Sequence, residues 1–227
     1  MKSRRKDPRI RLAITQEAAR LMYEEEVRQY FTAKRMAAKR LFSKRGAHQL
    51  RFRPRDLPSN GEIQAALLKL ADLEEGSDRR ARQTEMRKLA LLAMRELAEF
   101  HPRLIGSVAT GHVHRRSDID IQLFCEDEDA PEQFIQARGW SFERQDVLVR
   151  RKKQGLVKYQ HLLLDADYPI ELSIYDLRDL RKRPKSSTDG KPMVRLSIRD
   201  LETLISEESL NSKELKNHNS DLNKADL

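Results

Sequence analysis

The 227-residue sequence contains very little cysteine and no long apolar run. Its single cysteine, Cys125, excludes an internal disulfide and is typical of proteins from a reducing compartment. The longest apolar run, Leu89–Met94, is much too short to cross a bilayer, and no apolar segment follows the basic start as it does in a signal peptide. These absences predict a cytoplasmic protein without a membrane span.

Aromatic residues are also scarce, at 6%, whereas charged residues make up 36% of the chain. This composition predicts a soluble and largely helical protein with one substantial core and room for a small accessory domain. The net charge of +9 is unevenly distributed, because residues 1–60 contain 17 Lys or Arg against 6 Asp or Glu and the remainder 28 against 30. Such a basic segment favours a polyanionic partner, with RNA as the first candidate, although a solvated helix face has the same pattern.

The basic segment has a helical pattern. Asp7 and Pro8 predict an N-cap and first turn, and small and apolar residues then recur at helical spacing up to Gly46. The sequence Ser59-Asn60-Gly61-Glu62 predicts a capping box for a second helix that ends near Gly76. The connector before it is too long for a tight helix-turn-helix, so we expect a helical platform instead.

A polar hinge at residues 75–80 predicts the boundary between two parts of the chain. The expected organisation is a basic helical segment at 1–76, a catalytic domain at 77–208 and a disordered polar tail at 209–227. In the second part, an amphipathic helix ends before His101-Pro102 and leads into a strand around Leu104.

The most informative stretch is Leu104–Phe124, which reads LIGSVATGHVHRRSDIDIQLF. A short apolar strand, a Gly-Ser turn and a polar loop precede a second strand that carries Asp118 and Asp120. Side chains two apart on a strand point to the same face, so both carboxylates project together while the intervening isoleucines face the core. Neighbouring carboxylates on a strand are suited to clamp magnesium, and Gly106 and Ser107 allow close backbone approach to a phosphate.

These residues resemble the signature of the DNA polymerase beta-like nucleotidyltransferase superfamily, especially its minimal bacterial members. The resemblance covers roughly residues 80 to 180 and implies an α+β fold with a mixed sheet, ATP or another nucleoside triphosphate as substrate, and Mg²⁺ or Mn²⁺ as cofactor. It implies that Gly106 and Ser107 hold the triphosphate and that Asp118 and Asp120 bind two metal ions. Arg115 and Arg116, in the loop before the aspartates, are candidates to meet phosphate oxygens, although solvent exposure is their default.

The family mechanism also requires a third carboxylate from a later strand. Three strands are predicted at 146–150, 156–166 and 169–175, and alternation in the last directs Glu171 away from the apolar residues beside it. Glu171 is therefore the candidate for the third metal ligand and for the group that takes the acceptor's proton. Asp165 on the preceding strand and Asp176 at a strand end are the alternatives.

Two classes of function agree with these patterns. The first is an active nucleotidyltransferase that transfers a nucleoside monophosphate to a hydroxyl of RNA, protein or a small molecule by a two-magnesium mechanism. The second is a catalytically inactive module on the same fold. It would either bind nucleic acid independently of Asp118 and Asp120, or bind a nucleotide or a partner without turnover. The intact pair of aspartates favours the enzyme.

Overall fold

A computed structural model describes residues 7–25, 27–43, 54–151 and 155–210. The chain divides into two compact units. The helical unit contains residues up to Arg82 together with residues 112–117 and 184–193. The sheet unit contains residues 83–111, 118–183 and the chain from Val194 onward.

Two helices form the first part of the helical unit: α1 spans Pro8–Glu24 and α2 spans Tyr30–Ser43. Asp7 caps α1 as predicted, since its Oδ1 accepts a hydrogen bond from the Arg9 amide at 2.9 Å. The expectation of one continuous helical stripe up to Gly46 was wrong, because α1 ends at Glu24, and Gly46 itself lies outside the described residues. Two packed helices bury their alanine-rich faces against each other, which a single straight helix cannot do.

The long helix α3 spans Asn60–Glu96 and passes from one unit to the other. The predicted capping box is present, because Ser59 Oγ accepts from the Glu62 amide at 3.2 Å and Glu62 Oε2 accepts from the Ser59 amide at 2.7 Å. Gly76 leaves helical geometry with φ of 51° and ψ of −121°, whereas the two units separate between Arg82 and Gln83. The domain limits 1–76 and 77–208 stay a prediction.

Five strands form the mixed sheet of the second unit, which confirms the predicted α+β class. They are β1 (Arg103–Ile105), β2 (Ile119–Cys125), β3 (Phe142–Arg151), β4 (Gly155–Leu164) and β5 (Ile170–Asp176), in the order β1-β2-β5-β4-β3. β2 and β5 pair in parallel, and the other neighbours are antiparallel. The predicted three-strand meander is therefore confirmed as β3-β4-β5, and it places β5 beside β2 at the centre of the sheet.

Three further helices complete the sheet unit. The short helix α4 spans Gly106–Thr110, α5 spans Ala130–Ala137, and α6 covers residues 198–210. Residues 209 and 210 are thus still helical, and the rest of the predicted polar tail lies outside the described residues. None of the helices in the described ranges combines the length and the apolarity that crossing a bilayer requires.

Alternation along the central strands separates an apolar core face from a second, more polar face, on which Gln122 and Phe124 of β2 are nevertheless also buried. Ile119, Ile121 and Leu123 of β2 are 0–1% exposed, and Leu172 of β5 and Leu162 of β4 are fully buried. The residues between them, Asp120 on β2 and Glu171 on β5, are only half-buried. Because paired strands share their pleat, these carboxylates lie on the same face of the sheet.

Candidate active site

Asp118, Asp120 and Glu171 come together at one place on the polar face of the sheet. Asp120 and Glu171 are direct partners in the parallel register of β2 and β5, and Asp118 immediately precedes β2. Each residue offers one carboxylate oxygen, and these oxygens lie within 4.8 Å of one another. Among the described residues this is the one group of three or more potential metal ligands. Its role as a metal site stays a prediction.

The three side chains suit a divalent cation in number and in chemistry. Mg²⁺ and Mn²⁺ prefer oxygen ligands, and all three groups here are carboxylates in a half-buried environment. Ionised carboxylates held this close repel one another, and a cation between them relieves that repulsion. The donor set therefore fits the metal ion that the sequence resemblance implies.

Gly106 packs directly against the Asp120 side chain. A Cβ atom at position 106 would lie 2.0 Å from Asp120 Oδ2 and 3.0 Å from its Cγ, which is far inside van der Waals contact. Gly106 also has a φ of +71°, where residues with a side chain are strained. Both the space and the backbone conformation thus require glycine beside the carboxylate.

The predicted Gly-Ser turn is the first turn of helix α4 rather than an irregular loop. Ser107 is half-buried in this turn, and Gly111 ends the helix with a φ of 78°. Arg87, which is 3% exposed, donates from Nε to the Val108 carbonyl at 3.0 Å and forms an ion pair with Glu208. This buried arginine ties α4 to helices α3 and α6 and so stabilises the Gly106-Ser107 backbone.

His161 is a site residue that the sequence reasoning missed. Its Nδ1 lies 2.5 Å from Glu171 Oε1, and their side chains are 16% and 25% exposed. In the antiparallel register of β4 and β5, His161 pairs with Ser173 and Leu163 with Glu171, so the histidine is the diagonal neighbour of the glutamate. Alternation along β4 indicates which face His161 occupies, but only the pairing of the two strands brings it to Glu171.

The alternative third carboxylates lie apart from the group. Asp165 is exposed beyond the end of β4. Asp176 accepts hydrogen bonds from the backbone and guanidinium of Arg178, which lower the pKa of that carboxyl to about 2. Neither belongs to the three-carboxylate group, and Glu171 does.

Arg115 and Arg116, the predicted phosphate contacts, belong to the helical unit. The Arg115 guanidinium lies 4.3 Å from the centre of the Tyr23 ring, and Arg116 Nη2 donates to the Glu24 carbonyl at 2.6 Å. Both therefore meet the last turn of α1, where cations are favourable because the exposed carbonyls carry partial negative charge. These contacts engage both arginines within the helical unit, and the part of Arg115 and Arg116 in nucleotide binding stays a prediction.

Cys125 at the end of β2 is a poor nucleophile. Burial, followed in size by the neighbouring carboxylates of Asp127, Glu128 and Asp176, raises the pKa of its thiol to about 11. The thiolate is therefore scarce at neutral pH, and covalent catalysis through this residue is unfavourable.

Comparisons with known proteins provide little further information. No protein-family model and no curated protein matches the sequence. Among solved structures, a cytoplasmic RNA terminal U-transferase is similar at 18% identity over 51% of this chain and 34% of its own, with a TM-score of 0.25. A GLD-2/RNP-8 complex is similar at 14% identity over 47% of this chain and 43% of its own, with a TM-score of 0.27. The aligned part is less than half of either protein, and at these scores the functional interpretation depends on the site alone.

Proposed function

We propose that this chain is a metal-dependent nucleotidyltransferase. It transfers a nucleoside monophosphate from a nucleoside triphosphate, with ATP as the first candidate, to a hydroxyl on RNA, protein or a small molecule. The observation that carries the proposal is the group of three half-buried carboxylates, two on adjacent strands and one immediately before β2, whose oxygens lie within 4.8 Å of one another. The glycine packed against one of them supports it, because a phosphate binds most closely where a side chain is absent.

Asp118, Asp120 and Glu171 would hold Mg²⁺ or Mn²⁺, which supplies positive charge to the triphosphate and Lewis acidity at the phosphorus. Gly106 and Ser107 contact the triphosphate through their backbone and the Ser107 hydroxyl. The acceptor oxygen forms a bond to the α-phosphorus, the bond to the bridging oxygen breaks, and pyrophosphate leaves with that electron pair. Glu171 accepts the proton of the acceptor hydroxyl.

His161 acts as a positioning residue for Glu171. With its proton on Nδ1, His161 donates to Oε1 at 2.5 Å and so restricts the rotamer of the Glu171 carboxylate. A histidine that holds a ligand carboxylate in this way reduces the reorganisation needed when a cation binds. The half-buried position of both side chains protects the hydrogen bond from water.

Incorporation of α-labelled ATP into total RNA, bulk protein or the protein itself tests the proposal. We expect label transfer with Mg²⁺ or Mn²⁺ in wild type and its loss, by more than about a hundredfold, in Asp118→Asn/Asp120→Asn, because the isosteric amides retain the shape and lose the charge. The pool that becomes labelled identifies the acceptor class.

Asp165→Asn is the matched control, since it removes an exposed carboxylate of the same sheet outside the group, and it should leave transfer unchanged. Equal transfer by wild type and the double variant would overturn the proposal. Absence of transfer with every nucleotide and pool, while RNA binding persists in both proteins, would favour the inactive binding module instead.

A further inference from the structure

Helix α2 carries a stripe of aromatic and basic side chains, of which Phe31, Arg35 and Lys39 are exposed and Phe42 is half-buried against the core of the helical unit. Phe31, Arg35, Lys39 and Phe42 follow one another at intervals of three or four residues, which places them on one face of a helix. This face borders an open groove of about 560 Å³, lined by Phe31, Thr32, Arg35, Met36, Ala38, Lys39 and Phe42. It is distinct from the carboxylate group, which belongs to the sheet unit.

The basic residues of α2 divide into two sets. Arg40 is held by Glu25 at 2.6 Å, and Lys34 donates to the Asn60 side chain at 2.6 Å. Arg35 and Lys39 are exposed, and no carboxylate of the described residues forms an ion pair with either. Within the described ranges, Arg35 and Lys39 therefore present positive charge that no ion pair offsets, and α2 itself contains no acidic residue.

The aromatic component distinguishes this stripe from an ordinary solvated basic face. Phe31 is 67% exposed, and the Arg35 guanidinium lies 5.6 Å from the centre of its ring. An exposed phenylalanine beside a cation offers a stacking surface next to a phosphate-binding group, which is the combination that single-stranded nucleic acid requires. The exposed residues from Phe31 to Lys39 span about 12 Å at the helical rise.

We propose that the Phe31–Phe42 face of α2 binds single-stranded nucleic acid, with a base stacked on Phe31 and with Arg35 and Lys39 on adjacent phosphates. A bilayer is a poorer match, since one largely exposed aromatic residue offers little apolar area for interfacial insertion. The proposal is independent of nucleotidyl transfer, because it concerns binding by the helical unit without metal or nucleotide.

Fluorescence anisotropy of a labelled oligouridine RNA with the full chain in EDTA, over a series of salt concentrations, tests this surface. We expect Phe31→Ala to weaken binding about tenfold with an unchanged salt dependence, because stacking releases no counterions. We expect Arg35→Gln/Lys39→Gln to make the slope of log affinity against log salt concentration shallower by about 1.4. Each phosphate on a single strand that is no longer neutralised reduces this slope by about 0.7, and the double variant removes two such contacts. A duplex of matched length should bind more weakly, since its bases are already stacked.

Arg9→Gln/Lys69→Gln is the control, because it removes two exposed positive charges from the same unit but outside the stripe. Circular dichroism confirms that each variant is folded. The proposal is overturned if the stripe variants bind RNA as the control does, or if the control changes the slope equally. Vesicles of phosphatidylcholine and phosphatidylglycerol, and single-stranded DNA of the same sequence as the RNA, are tested in parallel. The proposal is also overturned if the stripe variants bind the vesicles more weakly but bind both the RNA and the DNA as wild type does.

Discussion

The cores of the two units differ in their share of alanine. In the sheet unit, the buried centre consists of branched aliphatic side chains, including Ile119, Ile121, Leu123, Leu162 and Leu172. In the helical unit, six alanines are buried to within 2% exposure: Ala18, Ala19, Ala33, Ala37, Ala38 and Ala71. Alanine allows helices to approach closely but buries little apolar area per residue.

The difference shows how each unit is suited to its proposed task. Branched aliphatics restrict the strands in rotamer and register, so they hold the three carboxylates of the polar face at fixed separation. The helical unit relies more on alanine. Both units carry ion pairs at their surface, such as Arg11–Glu62 at 2.5 Å in the helical unit and Arg144–Glu132 at 2.7 Å in the sheet unit. We expect perturbations of the sheet unit beside the carboxylates to affect metal binding most, and perturbations of the Arg11–Glu62 pair of the helical unit to affect stability in a pH-dependent way.

The largest expected effect comes from Gly106→Ala. The new Cβ displaces the Asp120 carboxylate, so Mn²⁺ affinity measured by calorimetry should fall about a hundredfold. Gly139→Ala is the control because Gly139 has a similar φ of +69° but a Cβ added there would meet nothing within 4 Å. Both variants should lose about 1 kcal/mol of stability to the left-handed backbone, and only Gly106→Ala should lose metal affinity. Wild-type affinity in Gly106→Ala would show that close packing does not orient Asp120.

A pair of core substitutions tests the difference between the units directly. Leu172→Ala should reduce the free energy of unfolding by about 2–5 kcal/mol, because it leaves a cavity among fully buried aliphatics. Ala37→Gly in the helical unit should cost only about 1 kcal/mol, through helix propensity. Urea unfolding, monitored by hydrogen exchange of amides in each unit, assigns each loss of unfolding free energy to the sheet unit or to the helical unit. Equal losses would contradict the proposed contrast.

Substitutions of His161 test whether this residue orients the Glu171 carboxylate or only fills space in the sheet unit. His161→Ala should weaken Mn²⁺ binding about tenfold, because Glu171 loses its hydrogen-bond donor. His161→Gln retains a donor on a side chain of similar length and should restore most of the affinity. If both variants bind Mn²⁺ as wild type does, while stability falls in both, the histidine has a structural role only.

The smallest expected effect is the acid response of the Arg11–Glu62 pair. Hydrogen bonds from Arg11 are the main cause that lowers the Glu62 pKa from 4.5 to about 2. Since the folded pKa is below the unfolded one, the stabilisation is complete above about pH 4.5 and is lost as the pH falls toward 2. Glu62 is 42% exposed, so solvent screening limits the contribution to about 0.5–1 kcal/mol.

The measurement is the free energy of unfolding of wild type and of Glu62→Gln at a series of pH values between 7 and 2. At each pH, the value for the variant is subtracted from the value for wild type. Wild type should be the more stable protein at neutral pH, and the difference should shrink on acidification because the glutamine of the variant does not titrate. A difference that stays constant with pH would mean that the charge of Glu62 contributes nothing.

Much of the local structure could be predicted from the sequence. The Asp7 cap, the Ser59–Glu62 capping box and the strands of the β3-β4-β5 meander depend on residues close in the chain, and each is present in the structure. The break between α1 and α2 was missed, because the apolar periodicity continues across it and only packing between the helices decides where the chain turns.

The sequence by itself determined which face of each strand is polar, because the alternation of side chains is a property of an extended backbone. Only the tertiary structure decided that β5 pairs with β2, which brings Glu171 and not Asp165 beside Asp120. It likewise decided that His161 reaches Glu171 and that Arg115 contacts Tyr23. These contacts join residues that are distant along the chain, so they depend on the pairing of strands and the packing of helices, which local patterns do not specify.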